Sequence, residues 1–93
     1  MVFALASQLL GEFLGTFLLM LSILASGGNP LVIGATLALI VHLIGKISGG
    51  ACNPAVALGM YLGGSINLKF LTTFIIVQLI GAAAAVYTYH AVA

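Results

Sequence analysis

The sequence predicts an all-α membrane protein with three transmembrane helices and one re-entrant half-helix. Three observations carry that reading. Only Glu12, Lys46 and Lys69 bear a fixed side-chain charge, 3% of the 93 residues, while 63% are apolar. A water-exposed surface ordinarily needs about a quarter of its residues charged. Three apolar runs approach or exceed the ~20 residues that cross ~30 Å of hydrocarbon at ~1.5 Å each. A fourth apolar segment, between the second and third runs, is too short to cross. Most of this chain is built for lipid.

The first run is Val2 to Ala25, and the breaker cluster Ser26-Gly27-Gly28-Asn29-Pro30 ends it and turns the chain. No basic n-region precedes it, so it reads as a first span and not as a cleaved signal peptide. The second run, Leu31 to Ile47, is near the short limit, and its exit at Ser48-Gly49-Gly50 is expected close to the headgroups. The third, Phe70 to Ala93, follows the polar stretch Ser65-Ile66-Asn67-Leu68-Lys69. The expected organisation is one domain, 1–93, with spans at about 2–25, 31–47 and 70–93.

Ala51 to Gly64 is too apolar for an ordinary loop. Within it, Asn53-Pro54 is a helix-start signal, because Asn caps the first turn and Pro needs no N–H partner there. Gly63-Gly64 is a stop. Pro54 to Leu62 would make only about two turns, too few to span. Such a half-helix either re-enters the membrane, where its irregular flank must be buried in protein or line a watery cavity, or lies flat on the surface. The re-entrant form is the expectation.

Small residues recur at helical spacing: Ser7, Gly11 and Gly15; Gly34 and Ala38 with His42; Gly45 and Gly49; and Gly81 ahead of Ala82–Ala85. Such faces let backbones approach closely in lipid, although membrane helices are rich in Gly and Ala in any case. Glu12 is the most informative single residue. A carboxylate in hydrocarbon must face protein or water with partners, and Thr16 lies one turn away on its face. Gln78 is the strongly polar residue near the middle of the third span. Glu12 and Gln78 are expected to give structural support, bonding the backbone around Ser48–Asn53, whose polar groups lack helical partners. Proton carriage by Glu12 would want a titratable partner such as His42, which reads better as a packing residue; His90 reads as interfacial. Lys46 and Lys69 flank the short segment on the same side as the N-terminus, where lysines snorkel to headgroups and favour the cytoplasmic face.

The remaining composition excludes more than it assigns. A net charge of +1 offers no nucleic-acid surface. Cys52 is the single cysteine, so no intrachain disulfide forms and the redox compartment is not indicated. With one carboxylate and no nucleophile–base pair, no catalytic constellation, cofactor or metal site is expected.

Gly45-Lys46-Ile47-Ser48-Gly49-Gly50-Ala51-Cys52-Asn53-Pro54-Ala55-Val56-Ala57-Leu58-Gly59 resembles the first asparagine-proline-alanine loop of the aquaporins, the major intrinsic proteins. Gly11-Glu12-Phe13-Leu14-Gly15-Thr16-Phe17 is similar to their first-span signature, and Gln78-Leu79-Ile80-Gly81-Ala82 to their third-span pattern. The resemblance covers essentially the whole chain but only one of that family's two inverted three-span repeats. It implies a passive channel for water or small neutral solutes, with the pore formed by two half-repeats, an antiparallel homodimer of this chain being the expected form. The partners implied are the bilayer, a second copy or another half-repeat in opposite orientation, and the solute.

By that resemblance, Asn53, Pro54 and Ala55 form the midplane motif, and Gly49, Gly50, Ala51 and Cys52 present backbone to the pore. Ile33 and Val56 fall at filter positions. Val56 stands where the family's second repeat usually has Arg, and Ala51 where a His is frequent, so the constriction is expected to be more apolar than a typical water filter. Cys52 is where a bulky thiol reagent would block the path if the sulfur faces it. The second reading, from a different class, is a non-conducting structural or assembly subunit that keeps the half-fold. Localisation follows as integral and multi-pass, with the membrane unassigned.

Overall fold

The computed structural model describes residues 2–93. Four helices follow in order: α1 (Val2–Ala25), α2 (Pro30–Ser48), α3 (Pro54–Leu62) and α4 (Leu68–Val92). No strand occurs among the described residues. Three of the four, α1, α2 and α4, are long and apolar enough to cross a membrane.

Asparagines set the helix starts. The Asn29 Oδ1 accepts from the N–H groups of Leu31 (2.9 Å) and Val32 (3.2 Å), so α2 begins at Pro30. Asn67 Oδ1 accepts from Phe70 N–H at 2.9 Å and starts α4 at Leu68, two residues before Phe70. Lys69 therefore sits in the first turn of α4 and not in the connecting stretch. A side-chain acceptor satisfies N–H groups that have no partner in the helix, so helix formation extends back to the cap.

Helix α1 is the centre. It packs against α2 on one side and α4 on the other, while α3 lies against α4; α2 and α4 do not pack on each other. Two glycine faces permit these approaches. A Cβ at Gly11 would lie 3.5 Å from Ile44 Cγ2, and one at Gly81 would fall 2.6 Å from the Phe13 carbonyl oxygen. The α1–α4 contact is thus backbone against backbone, the geometry that small residues allow in lipid. Gly34, Ala38 and His42 behave differently: all three are exposed, and a Cβ at Gly34 would meet nothing within 4 Å. That stripe joins no helices within this chain.

Ala51, Ala57, Leu71 and Phe74 form a buried apolar cluster, with Met60, Tyr61 and Phe70 packed around it. The cluster ties the short helix and its leading loop to α4. Large apolar side chains elsewhere point outward, among them Leu31 (83% exposed) and Leu62 (74%). An outward apolar surface is stable in hydrocarbon, with backbone polar groups satisfied inside helices. The longest extent, 38 Å, suits a core of ~30 Å plus part of each headgroup layer. Tyr87, Tyr89 and His90 gather near the end of α4, where amphipathic rings suit the interface.

Candidate functional site

The site is made by a chain that turns back on its own helix. Helix α2 stops at Ser48 because Gly49 takes a left-handed conformation (φ +90°) and Gly50 another (φ +67°), backbone that glycine adopts without steric cost. A Cβ at Gly50 would lie 3.3 Å from Val41 Cα. Val41 is seven residues before Ser48, about 10 Å back along the helix axis. A Cβ at Gly15 of α1 would fall 2.5 Å from Cys52 Sγ. The chain leaving α2 therefore returns alongside it to the level of Gly15. The glycines turn the backbone inward along α2 after its exit.

Gly15 lies 13 residues from Val2 and 10 from Ala25, about 20 and 15 Å along α1. Asn53 follows directly at this middle level and starts α3. Its Oδ1 accepts from Ala55 N–H at 2.7 Å, its backbone is extended, and Pro54 takes the first helical position. Helix α3 then runs outward and stops where Gly63 N–H donates to the Gly59 carbonyl (2.9 Å) and Ser65 N–H to that of Met60 (2.8 Å).

Glu12 holds this loop in place. Its side chain is fully buried. Oε1 accepts from Cys52 N–H at 2.7 Å and from Gln78 Nε2 at 2.8 Å, and Oε2 from the Ser48 hydroxyl at 2.5 Å. One carboxylate thus ties α1 to the end of α2, the returning loop and α4. Ser48 Oγ also accepts from Gly50 N–H at 3.3 Å, and Thr16 Oγ1 donates to the Glu12 carbonyl at 2.8 Å. The three bonds to the carboxylate oxygens, at 2.5 to 2.8 Å, are of the kind that is short and roughly twice as strong as a bond between neutral groups. Among the described residues, the Gln78 side chain bonds Glu12 and not the loop backbone. Its Oε1 is buried and has no partner among the described residues.

The other residues named from the sequence are distributed as follows. Asn53 is exposed, and no hydrogen bond among the described residues starts from its side-chain NH₂. Ala55 is exposed and Pro54 half-buried. Gly49 is exposed, whereas Gly50, Ala51 and Cys52 are buried against the protein. No backbone or side-chain donor among the described residues reaches the carbonyls of Gly49 to Cys52. Val56 is exposed on α3, and Ile33 is half-buried on α2, seven residues and about 10 Å beyond Ile40, which lines the Gly15 notch. His42 is exposed. The Cys52 sulfur does not face outward: the residue is 2% exposed, and the thiol sits against α1 beside the Thr16 hydroxyl. No group of three His, Cys, Asp or Glu side chains gathers among the described residues.

Two contributors were not read from the sequence, the Ser48 hydroxyl and the Gly15 notch. A signal for the Glu12–Gln78 pair does exist. Each lies ten residues into its helix, counted from Val2 and from Leu68, so both sit at one depth.

The sequence is similar to those of known proteins. The sequence model of the family described as Major intrinsic protein matches residues 27–93. A probable aquaporin, AqpM, of Archaeoglobus fulgidus is 40% identical over 94 residues, covering 88% of this chain and 38% of that protein. Aquaporin Z of Brucella melitensis is 34% identical over 101 residues, with 94% and 44% covered. Aquaporin AqpM of Methanothermobacter marburgensis is 36% identical over 95 residues, with 88% and 39% covered. The chain spans less than half the length of each of these relatives.

Proposed function

Because this chain belongs to the major intrinsic protein family, we propose that it is a passive membrane channel for water or a small neutral solute. Its pore is completed by a second three-span repeat in the opposite orientation, supplied by an antiparallel copy of the chain. The observation that carries this reading is Asn53: an exposed amide at the head of a half-helix, midway along α1, whose NH₂ no group among the described residues engages. A free polar group at that depth calls for water or a polar solute beside it.

The mechanism follows from the parts. Oδ1 of Asn53 is occupied by the Ala55 N–H, so the amide can turn only its NH₂ toward a passing oxygen. The N-terminus of α3 carries partial positive charge and repels cations at the same point, while a neutral molecule loses nothing to it. The carbonyls of exposed Gly49 and of the buried residues Gly50 to Cys52, which no donor among the described residues reaches, supply acceptors for the approaching molecule where the second half encloses the path. Ile33 and Val56 make the constrictions apolar. Glu12, fully engaged by three donors, fixes the loop and takes no part in carrying protons. The similar proteins from Archaeoglobus fulgidus and Brucella melitensis are named as aquaporins, which makes water the first solute to try.

Swelling of vesicles containing the purified chain tests the proposal. Water permeability above that of empty vesicles is expected, unsaturated over a wide range, and lowered by Asn53→Leu, which removes the donor. Permeability equal to empty vesicles, with crosslinks only between parallel neighbours, would replace the channel by the non-conducting structural subunit.

A further inference from the structure

Cys52, the residue directly before Asn53, lies with its thiol against Gly15 of α1. Cys52 has φ +50°, left-handed backbone that a residue with a Cβ adopts at a steric penalty. Something must hold it there, and two things do. Its N–H donates to Glu12 Oε1 at 2.7 Å, and its thiol fills the space that a side chain on Gly15 would take. A Cβ at Gly15 would lie 2.5 Å from that sulfur, 3.0 Å from Ile40 Cγ2 and 3.1 Å from Ile44 Cδ1. The isoleucine atoms end flexible side chains and can give way by tenths of an ångström. The sulfur hangs one bond from the Cβ of a residue already held in strained backbone, so yielding there moves the loop.

We propose that the Cys52 thiol in the Gly15 notch is a positioning device that sets where Asn53 and the head of α3 stand. Glycine at 15 and a thiol at 52 act as a matched pair of sizes: a larger group at either position displaces the loop, and enlarging 15 while shrinking 52 restores it. The proposal rests on the channel reading only for its consequence on transport. The lock itself is a property of the fold.

The test is amide hydrogen exchange of the full chain in lipid nanodiscs, followed at Cys52, with water permeability as a second readout. In the parent, the Cys52 amide is protected by its bond to Glu12. Gly15→Ala should speed its exchange by about tenfold or more, the consequence of losing a buried bond to a charged acceptor. Cys52→Ala provides the background for the double variant. In that background the same Gly15→Ala should slow exchange at position 52 or leave it unchanged, so that its accelerating effect is lost. Permeability per inserted chain should fall with Gly15→Ala and recover in the double variant. If Gly15→Ala cannot be purified, Cys52→Val presses on the notch from the other side and should speed exchange at 52 likewise. Equal acceleration by Gly15→Ala with and without the thiol, or none from either single change, overturns the lock. A parent chain that protects the amide, with an acceleration by Gly15→Ala that vanishes without the thiol, yet does not conduct would overturn the channel and leave the lock standing.

Discussion

A single carboxylate anchors the returning loop, and its partners predict how it fails. Glu12→Gln keeps Oε1, so the bonds from Cys52 N–H and Gln78 Nε2 can persist. The new NH₂ would face Ser48 Oγ, which can turn to accept because its own hydrogen has the Ile44 carbonyl at 3.5 Å as another target. Glu12→Leu removes the acceptor for all three donors at once. Each buried group left unpaired costs about 1–3 kcal/mol. Unfolding of the purified chain in mixed micelles should therefore show a small change for Glu12→Gln and a loss of several kcal/mol for Glu12→Leu. Equal stability of the two variants would mean that Glu12 does not hold the loop. The importance of Glu12 was legible from the sequence, because a carboxylate within an apolar span cannot be idle. Its partners were less so. The Ser48 hydroxyl comes within reach only because α2 ends beside it, and the choice of Gln78 between loop and carboxylate depends on rotamers that spacing does not fix. The direction of the Cys52 thiol was illegible for a similar reason, since it follows from a left-handed φ at a residue that is not glycine.

Helix α3 shows how one residue serves two purposes that a substitution can separate. Asn53 Oδ1 caps the helix through Ala55 N–H, and the NH₂ on the other arm is the proposed donor to solute. Asn53→Asp retains an oxygen for the cap and adds a negative charge that suits a helix N-terminus, but it replaces the donor with a second acceptor. Asn53→Ala loses both, at a capping cost of about 0.5–2 kcal/mol. Unfolding should rank Asp close to Asn with Ala lower, while vesicle swelling should place both variants well below the parent. Parent-like water permeability in Asn53→Asp would remove the NH₂ from the mechanism. This element was legible in full, from Asn-Pro at its start to Gly-Gly at its end, because capping is local chemistry. The start of α4 was not. Asn67 is a cap of the same kind, but Lys69 in the first turn made the stretch read as polar connection. For the depth of α3 the sequence favoured re-entry over a surface position without showing what would hold the helix there. What decides it is tertiary contact, Gly50 on Val41 and Cys52 on Gly15.

At the scale of the whole molecule, the distribution of charge bears on how two copies could meet. Lys46, in the last turn of α2, and Lys69, in the first turn of α4, are both exposed and lie at the same end as the N-terminus. The opposite end, where α1 turns into α2, has no fixed charge. Lysines near span ends favour the cytoplasmic face, but two of them in short connections set a modest bias. An antiparallel pair needs both orientations in one membrane, so the scarcer orientation limits how many pores can form. Neither lysine side chain makes a hydrogen bond or ion pair among the described residues, and both are exposed. The Thr72 and Thr73 hydroxyls donate to the Lys69 carbonyl, which any side chain leaves in place. The double change Lys46→Gln, Lys69→Gln should therefore preserve structure while shifting orientation. Accessibility of a tag at the C-terminus, measured in native membrane vesicles, should show the parent in both orientations with the lysine end mostly cytoplasmic. The double variant should be near parity, with more water flux per inserted chain. A parent found in one orientation only, with flux unaffected by removing the lysines, would rule out the antiparallel copy. The second half of the pore would then have to be a different repeat of opposite orientation, meeting the same exposed Asn53.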